Sequence, residues 1–325
     1  MQISAEVHKL REALVGARSV LLTGPLDPDG DSIGACMALG RAVQALCDAQ
    51  VTIAGTANYR YDWMPGASQM LADAQVKPDY DVVVVMDGDR TRLSAPVEAA
   101  FNAARVRCLV DHHRSTDPSG YDVCVLEPTS ASTCEMVYAM LSDWGVALDE
   151  DIASMLYTGI IFDTGGFRHA NTKPNTHLLA AQLLSHGVDT SLINAKVLAE
   201  RSVAGLRLLG DVVSHAAFHG DGAVVMGRVS MADADRFGIS DGDLEGVVDA
   251  LLYTTGVEVA ALVIERAPSK VKLSLRSRTT VDVARLAKSL DPGGGGHARA
   301  AGVTLSEPLG DVLGRLPGHL VASLD

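Results

Sequence analysis

Asp27-Pro28-Asp29-Gly30-Asp31 sets three carboxylates within five residues, directly after the apolar run Ser19-Val20-Leu21-Leu22-Thr23. Like charges this close repel unless a cation or solvent screens them. Three other segments deliver groups of the same kind. The run Val82-Val83-Val84-Val85-Met86 leads into Asp87-Gly88-Asp89, Cys108-Leu109-Val110 leads into Asp111-His112-His113, and Gly159-Ile160-Ile161-Phe162 leads into Asp163-Thr164-Gly165-Gly166. Taken singly, each group has an ordinary role: a solvated acidic turn at 27–31, helix caps at Asp87 and Asp163, a satisfied core imidazole at His112. Taken together, they aim carboxylates and imidazole at one edge, a donor set that suits Mn²⁺ or a similar divalent ion better than a thiolate-preferring one. Near the C-terminus stand four consecutive glycines, Gly293–Gly296. Glycine backbone can approach an anion closely and offer N–H donors to phosphate, while a flexible loop is the plainer reading.

The elements that must position these residues follow from periodicity. Short, Val-rich, nearly continuous apolar runs at Ser19–Thr23, Val51–Ala54, Asp81–Met86, Val106–Val110 and Asp122–Leu126 read as strands buried on both faces. Helical patterns at 3–16, Ser32–Asp48, Ala67–Ala74 and Pro96–Ala104 alternate with them, and Ser130 to His186 is mostly helical. Such alternation predicts an α/β fold with a doubly wound, mostly parallel sheet, in which ligands bind at the carboxyl ends of the strands. The stretch 187–217 reads as a linker and connecting helix. Strand-like runs at Val224–Val229, Val257–Glu265 and Lys270–Arg276, with helical patterns at Asp243–Leu252 and Val281–Leu290, predict a smaller mixed α/β domain over 218–325.

Composition narrows the class. The 325 residues are 47% hydrophobic and 21% charged, as in an ordinary globular protein of two domains. No apolar run approaches the roughly 20 residues of a spanning helix, and residues 1–18 lack the apolar core of a signal peptide, so the expected location is the cytoplasm. Five scattered cysteines without a C-x-x-C pair read as buried thiols. A net charge of −13 argues against tight nonspecific binding to long nucleic acid, but not against a short anionic substrate held by a metal and a few arginines.

Asp29-Gly30-Asp31, Asp87, Asp111-His112-His113, Asp163-Thr164-Gly165 and the late Gly294-Gly295-Gly296-His297-Ala298-Arg299-Ala300-Ala301-Gly302 occur in the order and approximate spacing of the DHH phosphoesterase superfamily. The last motif resembles its DHH-associated C-terminal domain, and the chain length resembles the bifunctional oligoribonuclease and 3′-phosphoadenosine-5′-phosphate phosphatases, the nanoRNases. The resemblance implies a catalytic metal-binding domain over 1–186 and a substrate-binding domain over 218–325. It implies a two-metal hydrolase, with Mn²⁺ or alternatively Mg²⁺. Asp31, Asp87, His112 and Asp163 would hold one ion, and Asp29 and Asp87 the other, about 3.5–4 Å away. His113 would approach the scissile phosphate, and Asp111 would orient an adjacent imidazole. Arg276, Ser277, Gly294, Gly295, Gly296 and His297 would hold substrate, Arg276 by a bidentate grip on a terminal phosphate. Arg278 and Arg299 read equally well as surface charges, and Arg168 is a weaker candidate.

The implied activity is release of 5′-mononucleotides from very short RNA, together with removal of the 3′-phosphate of 3′-phosphoadenosine 5′-phosphate. A RecJ-like single-strand exonuclease, a cyclic dinucleotide phosphodiesterase and a nucleotide-binding sensor are the alternatives. Family members also suggest a homodimer. One position departs from the pattern: the motif usually opens with His, two variable residues and Pro-Asp-Gly-Asp, and here Pro25 stands at the histidine position. Proline offers no side-chain ligand, so the Asp29 site is expected to be the weaker of the two.

Overall fold

Five short strands, β1 (Ser19–Thr23), β2 (Gln50–Ala54), β3 (Val82–Met86), β4 (Val106–Asp111) and β5 (Val123–Leu126), pair in parallel in the order β2-β1-β3-β4-β5. This is a computed structural model, and it describes residues 4–324. Helices α1 (Ala5–Val15), α2 (Gly30–Leu46), α3 (Ala95–Ala103), α4 (Thr133–Asp143), α5 (Glu150–Asp163), α6 (Pro174–Leu184) and α7 (Thr190–Asn194) complete the first of two units, which ends at Glu200. Alternate strand residues serve opposite layers. Val20, Leu22, Val84 and Met86 pack with α1, α2, α4 and α5, while Leu21, Val83, Val85 and Leu109 pack against Val97, Ala100 and Phe101 of α3. Burial on both faces accounts for the unbroken apolar runs, and the doubly wound parallel sheet expected from the sequence is present.

Strand β1 lies between β2 and β3, so the winding reverses there, and ligands of open α/β sheets gather at such a switch point. Asp29 and Asp31 follow β1, Asp87 follows β3, and Asp111 ends β4. Behind this edge, α2, α4 and α5 cross at close range because two positions lack a Cβ. A side chain at Gly34 would run into the Met155 carbonyl oxygen, and one at Gly159 into Cys134 Sγ and the Asp31 carboxylate.

One expectation changes in this unit. Ala67–Ala74 is not a helix but two single 3₁₀ turns, Ala67–Gln69 and Asp73–Gln75. Between them the Leu71 N–H donates to the Ile53 carbonyl (2.8 Å) and its carbonyl accepts from Gly55 (3.0 Å), so the segment is recruited to the open edge of β2. Of the stretch 187–217, the part up to Glu200 belongs to the first unit. Ile193 of α7 and Val197 of the following π-turn (Ala195–Ala199) are buried in the first unit's core, and Arg60 donates to the Val197 and Glu200 carbonyls at 2.6 and 3.1 Å.

The second unit begins at Arg201. It comprises α8 (Val203–Ser214), β6 (Ala217–His219), β7 (Val224–Val229), α9 (Met231–Phe237), α10 (Val247–Leu252), β8 (Val259–Ala267), β9 (Lys270–Ser277), α11 (Val283–Leu290), β10 (Gly295–His297), β11 (Ala300–Leu305) and α12 (Leu309–Ala322). Its sheet, β10-β11-β9-β8-β7-β6, is mixed, with only β7 and β8 parallel among the described pairs. Helices α11 and α12 cover one face, and α8 and α10 the other. The helix expected over Asp243–Leu252 is interrupted at Gly246, whose φ of 71° is left-handed.

Gly159→Ala should therefore destabilise the protein by about 1–3 kcal/mol, the usual cost of overpacking. Chemical denaturation checks this, and an unchanged unfolding midpoint would contradict the close crossing.

Candidate metal centre

Strand pairing sets the first two groups side by side. The Asp87 N–H donates to the Val110 carbonyl (3.0 Å), which holds Asp87 next to the end of β4, where His112 begins the following turn. Asp87 takes a left-handed φ of 61°, uncommon outside glycine though least so for Asp and Asn, and residues held this way cluster at functional sites. The imidazole of His112 is the hub. Its Nδ1 lies 3.2 Å from the Ser130 carbonyl, which can only accept, so Nδ1 carries the proton. Nε2 is thereby turned to three carboxylates: Asp163 Oδ2 at 2.9 Å, Asp87 Oδ1 at 3.5 Å and Asp31 Oδ2 at 3.9 Å. Asp31, Asp87 and His112 are all buried.

Asp31 has no exposed surface, yet it is not bare. The first turn of α4 points at it, with Thr133 N–H donating to Oδ2 (2.6 Å) and Cys134 N–H to Oδ1 (2.9 Å). These donors are among those a helix start leaves without an internal partner, and the helix dipole adds positive potential. Ser132 caps the same helix by accepting from Glu135 N–H, and Thr133 Oγ1 donates to Asp87 Oδ1 (3.2 Å).

The arrangement fits a divalent cation. A neutral imidazole aims its Nε2 lone pair at carboxylate oxygens, and the repulsion is relieved only by a positive charge between them, either a proton or a metal ion. The ligand atoms of Asp31, Asp87 and His112 lie within 4.8 Å of one another, as do those of Asp87, Asp111 and His113. Both clusters leave out Asp29. Asp29 is the N-cap of α2, where Oδ1 accepts from Asp31 and Ser32 N–H at 3.0 and 3.1 Å, so the capping role is filled. Asp111, fully buried, accepts from His113 Nδ1 at 2.8 Å through Oδ1 and from Thr116 Oγ1 through Oδ2. His113 itself is partly exposed.

In the second unit the glycine run is less open than its composition suggests. Gly295–His297 is strand β10, paired with β11. A side chain at Gly294 would strike the Ala287 carbonyl at the end of α11, and one at Gly296, with φ 131°, would strike the Ala300 carbonyl. These two glycines answer to protein backbone first. Arg276 Nε donates to Asp249 Oδ1 (3.2 Å), and the buried Ser277 donates its hydroxyl to the Val281 carbonyl (2.6 Å). Arg278 and Arg299 tie loops, donating to the Leu252 and Val281 carbonyls at 2.9 and 2.8 Å.

Residues 19–160 match the DHH family N-terminal domain, and residues 221–316 match the DHHA1 domain. Over 308 residues, 94% of this chain and 88% of the relative, the sequence is 32% identical to the bifunctional oligoribonuclease and PAP phosphatase NrnA of Thermus thermophilus. The chain belongs to the DHH family. A cyclic-di-AMP phosphodiesterase, GdpP of Geobacillus thermodenitrificans, is 28% identical over 92% of this DHH chain but only 46% of its own length. Among solved structures, an exopolyphosphatase-related protein of Bacteroides fragilis superposes with a TM-score of 0.85 at 24% identity, covering 97% of this chain and 95% of that one. Exonuclease RecJ bound to manganese gives 0.51 at 14% identity, covering 98% and 92%. These two likenesses speak for the fold alone. DHH proteins are metal-dependent phosphoesterases, and this chain is an enzyme of that hydrolytic class. Among the described residues no helix is long and apolar enough to cross a membrane.

Sequence reasoning passed over Ser130, Ser132, Thr133 and Cys134, which orient His112 and Asp31. One signal was available: Ser132-Thr133-Cys134-Glu135 is a capping signature, Ser followed three residues later by Glu, and it marks where a helix start presents N–H groups. What those donors face is a tertiary matter.

The site's protons set its pH behaviour. Burial lifts the Asp31 carboxyl well above its usual range, and the charges of Asp87 and Asp163 push it further. Burial opposes the charged form of His112, but Asp163 and Asp87 outweigh it and hold the imidazolium well above the ordinary 6.5. Burial likewise works against ionised Asp87, and is outweighed by His112 and His113, which keep it below the usual carboxylate range. Asp31 and His112 thus bind protons more tightly folded than unfolded. The stability due to His112 is complete below 6.5 and is lost as pH rises through its raised folded value, and ionising Asp31 weakens the fold in the same direction. Asp87 has the opposite sign and matters only in acid. Melting of the metal-free protein should therefore fall in temperature from about pH 6.5 to pH 9, while the increment given by Mn²⁺ grows, since the ion displaces the same protons. A metal increment that shrinks with pH would contradict this electrostatic picture.

Proposed function

We propose that this chain is a divalent-metal-dependent phosphoesterase that hydrolyses very short RNA to 5′-mononucleotides and also removes the 3′-phosphate of 3′-phosphoadenosine 5′-phosphate. The observation that carries the reading is the convergence of Asp31, Asp87 and Asp163 on His112 Nε2. Similarity to a bifunctional oligoribonuclease and PAP phosphatase over nearly the full chain supports the substrate class.

Asp31, Asp87, His112 and Asp163 would hold Mn²⁺, with Mg²⁺ as a substitute. When bound, the ion supplies a hydroxide at neutral pH and offsets charge on the phosphoryl oxygens. The rest falls to the chain. Ser130 keeps His112 in the Nδ1–H tautomer, so Nε2 remains a ligand. The α4 N–H groups bond both oxygens of Asp31 and fix the orientation of a carboxyl whose proton the ion would displace. Asp111 accepts from His113 Nδ1, which leaves Nε2 as the atom that serves the phosphate. Burial would discharge His113, but Asp111 outweighs it and keeps the ring protonated to higher pH, as suits a donor to the leaving oxygen. Arg276, the backbone of Gly294–Gly296 and His297 are the groups proposed to receive the nucleotide, and a homodimer is the proposed assembly.

Asp29 and Pro25 make the second ion the weaker one. Asp29 spends one oxygen on the α2 cap, and Pro25 is buried without a donor. Titration with Mn²⁺ should reveal one tight and one weak site, and Pro25→His should tighten the weak one. Two equally tight sites in the parent protein would overturn this point.

A panel of di- to decanucleotides, the bisphosphate nucleotide and cyclic dinucleotides tests the substrate class. Rates should be highest on the shortest RNA and decline with length. Rates climbing into long single strands favour a RecJ-like enzyme, and preference for cyclic dinucleotides a GdpP-like one. Asp87→Asn, which tolerates the left-handed backbone where alanine is strained, should reduce hydrolysis to background with the fold retained. Asp111→Asn should cost about 10–100-fold.

A further inference from the structure

We infer that Asn171 is a positioning residue that bolts together the two halves of the metal centre. The inference rests on the metal reading above and goes beyond it, because the Asn171 amide donates to backbone carbonyls and not to the carboxylates or the imidazole.

The centre draws on two segments that meet through Cys134, whose Sγ donates to the Met155 carbonyl at 3.9 Å. One is the loop 127–134, which orients His112 through the Ser130 carbonyl and Asp31 through Thr133 and Cys134 N–H. The other is the C-terminal end of α5, which carries Asp163. A helix leaves its last carbonyls without internal partners, and here the loss is enforced at the ligand itself. The N–H of Phe167, the residue that would continue the ladder to the Asp163 carbonyl, donates instead to Thr164 Oγ1 (3.0 Å), because Gly165, Gly166 and Phe167 all take left-handed φ values of 57°, 68° and 65°. The Asp163 carbonyl accepts from His169 Nδ1 (3.0 Å) and from Asn171 Nδ2 (3.1 Å).

Asn171 Nδ2 also donates to the Ala131 carbonyl at 2.9 Å. Ala131 immediately follows Ser130, the residue that fixes the His112 tautomer, and its own N–H is held by Glu135 Oε2 (3.0 Å). One primary amide therefore spans from the peptide beside the His112 acceptor to the peptide of Asp163. His112 Nε2 and Asp163 Oδ2 stand 2.9 Å apart across the centre, the shortest of the three approaches to that nitrogen. Turned over, the amide would set its oxygen against two carbonyl oxygens, so the orientation is settled by chemistry. The bridge needs two N–H donors on one atom. A serine offers one, an aspartate none at neutral pH, and alanine nothing.

The test measures metal binding rather than turnover. Mn²⁺ dissociation constants, read from the EPR signal of free Mn²⁺, and Co²⁺ d–d spectra are compared for the parent protein, Asn171→Asp, Asn171→Ala and Asn171→Ser, with Asp163→Asn as the reference. Outer contacts of this kind are worth about 10–100-fold in metal affinity. Asn171→Asp and Asn171→Ala should weaken Mn²⁺ binding in that range and alter the Co²⁺ bands, and Asn171→Ser should fall between them and the parent. Parental affinity and an unaltered Co²⁺ spectrum in Asn171→Asp or Asn171→Ala, whatever the change in melting temperature, would reduce Asn171 to a structural tie and overturn the inference. Should Asn171→Asp fail to fold, the alanine and serine variants carry the comparison. Weak binding by Asp163→Asn beside parental binding by Asn171→Ala defeats the positioning role alone. Parental binding by Asp163→Asn defeats the metal assignment and this inference with it.

Discussion

The structure of the first unit depends on how the buried carboxylate of Asp31 is kept. An isolated ionised carboxylate removed from water is too costly to persist. Here a helix start brought against it offsets part of that cost, as Thr133 and Cys134 N–H bond its two oxygens, and burial still lifts the carboxyl well above its usual range. This contact requires α4 to begin where α2 begins, and α5 to pass close behind both. Gly34 and Gly159 make that passage available, since a Cβ at either place meets protein atoms. The carboxylate, the capped helix and the two glycines are one constraint seen from three sides.

The centre that results is unbalanced as protein alone. Three carboxylates face a single imidazole nitrogen, with His112 Nδ1 committed to Ser130. The shifts follow from that geometry, with Asp31 and His112 retaining protons and Asp87 giving its own up. Such opposed shifts in neighbouring groups are typical of sites that exchange protons for a cation. In the second unit, Arg276 stands on β9 and His297 on β10 of one mixed sheet.

Much of this was legible in one dimension. Strand runs such as Ser19–Thr23 and Val82–Met86 announce themselves because burial on both faces leaves their interiors continuously apolar. The Asp or His at the end of each run could be placed at one sheet edge without knowing any distance. The helix expected over Ala67–Ala74 failed because pairing of Leu71 with the edge of β2 overrode local propensity. In the stretch expected to connect the domains, Ile193 and Val197 found places in the first unit's core. In both cases a long-range contact decided what a local pattern could not.

By itself the sequence determined the α/β class, the edge at which chemistry gathers and the residue types that gather there, because these follow from periodicity and from where apolar runs stop. It also exposed the departure at Pro25. Only the tertiary structure decided which nitrogen of His112 faces the carboxylates, that Asp29 caps a helix while Asp31 is held by another, and that Gly294 and Gly296 pack against backbone. Each of these is a contact between segments distant along the chain, and no local rule of periodicity or capping contains the partner's position.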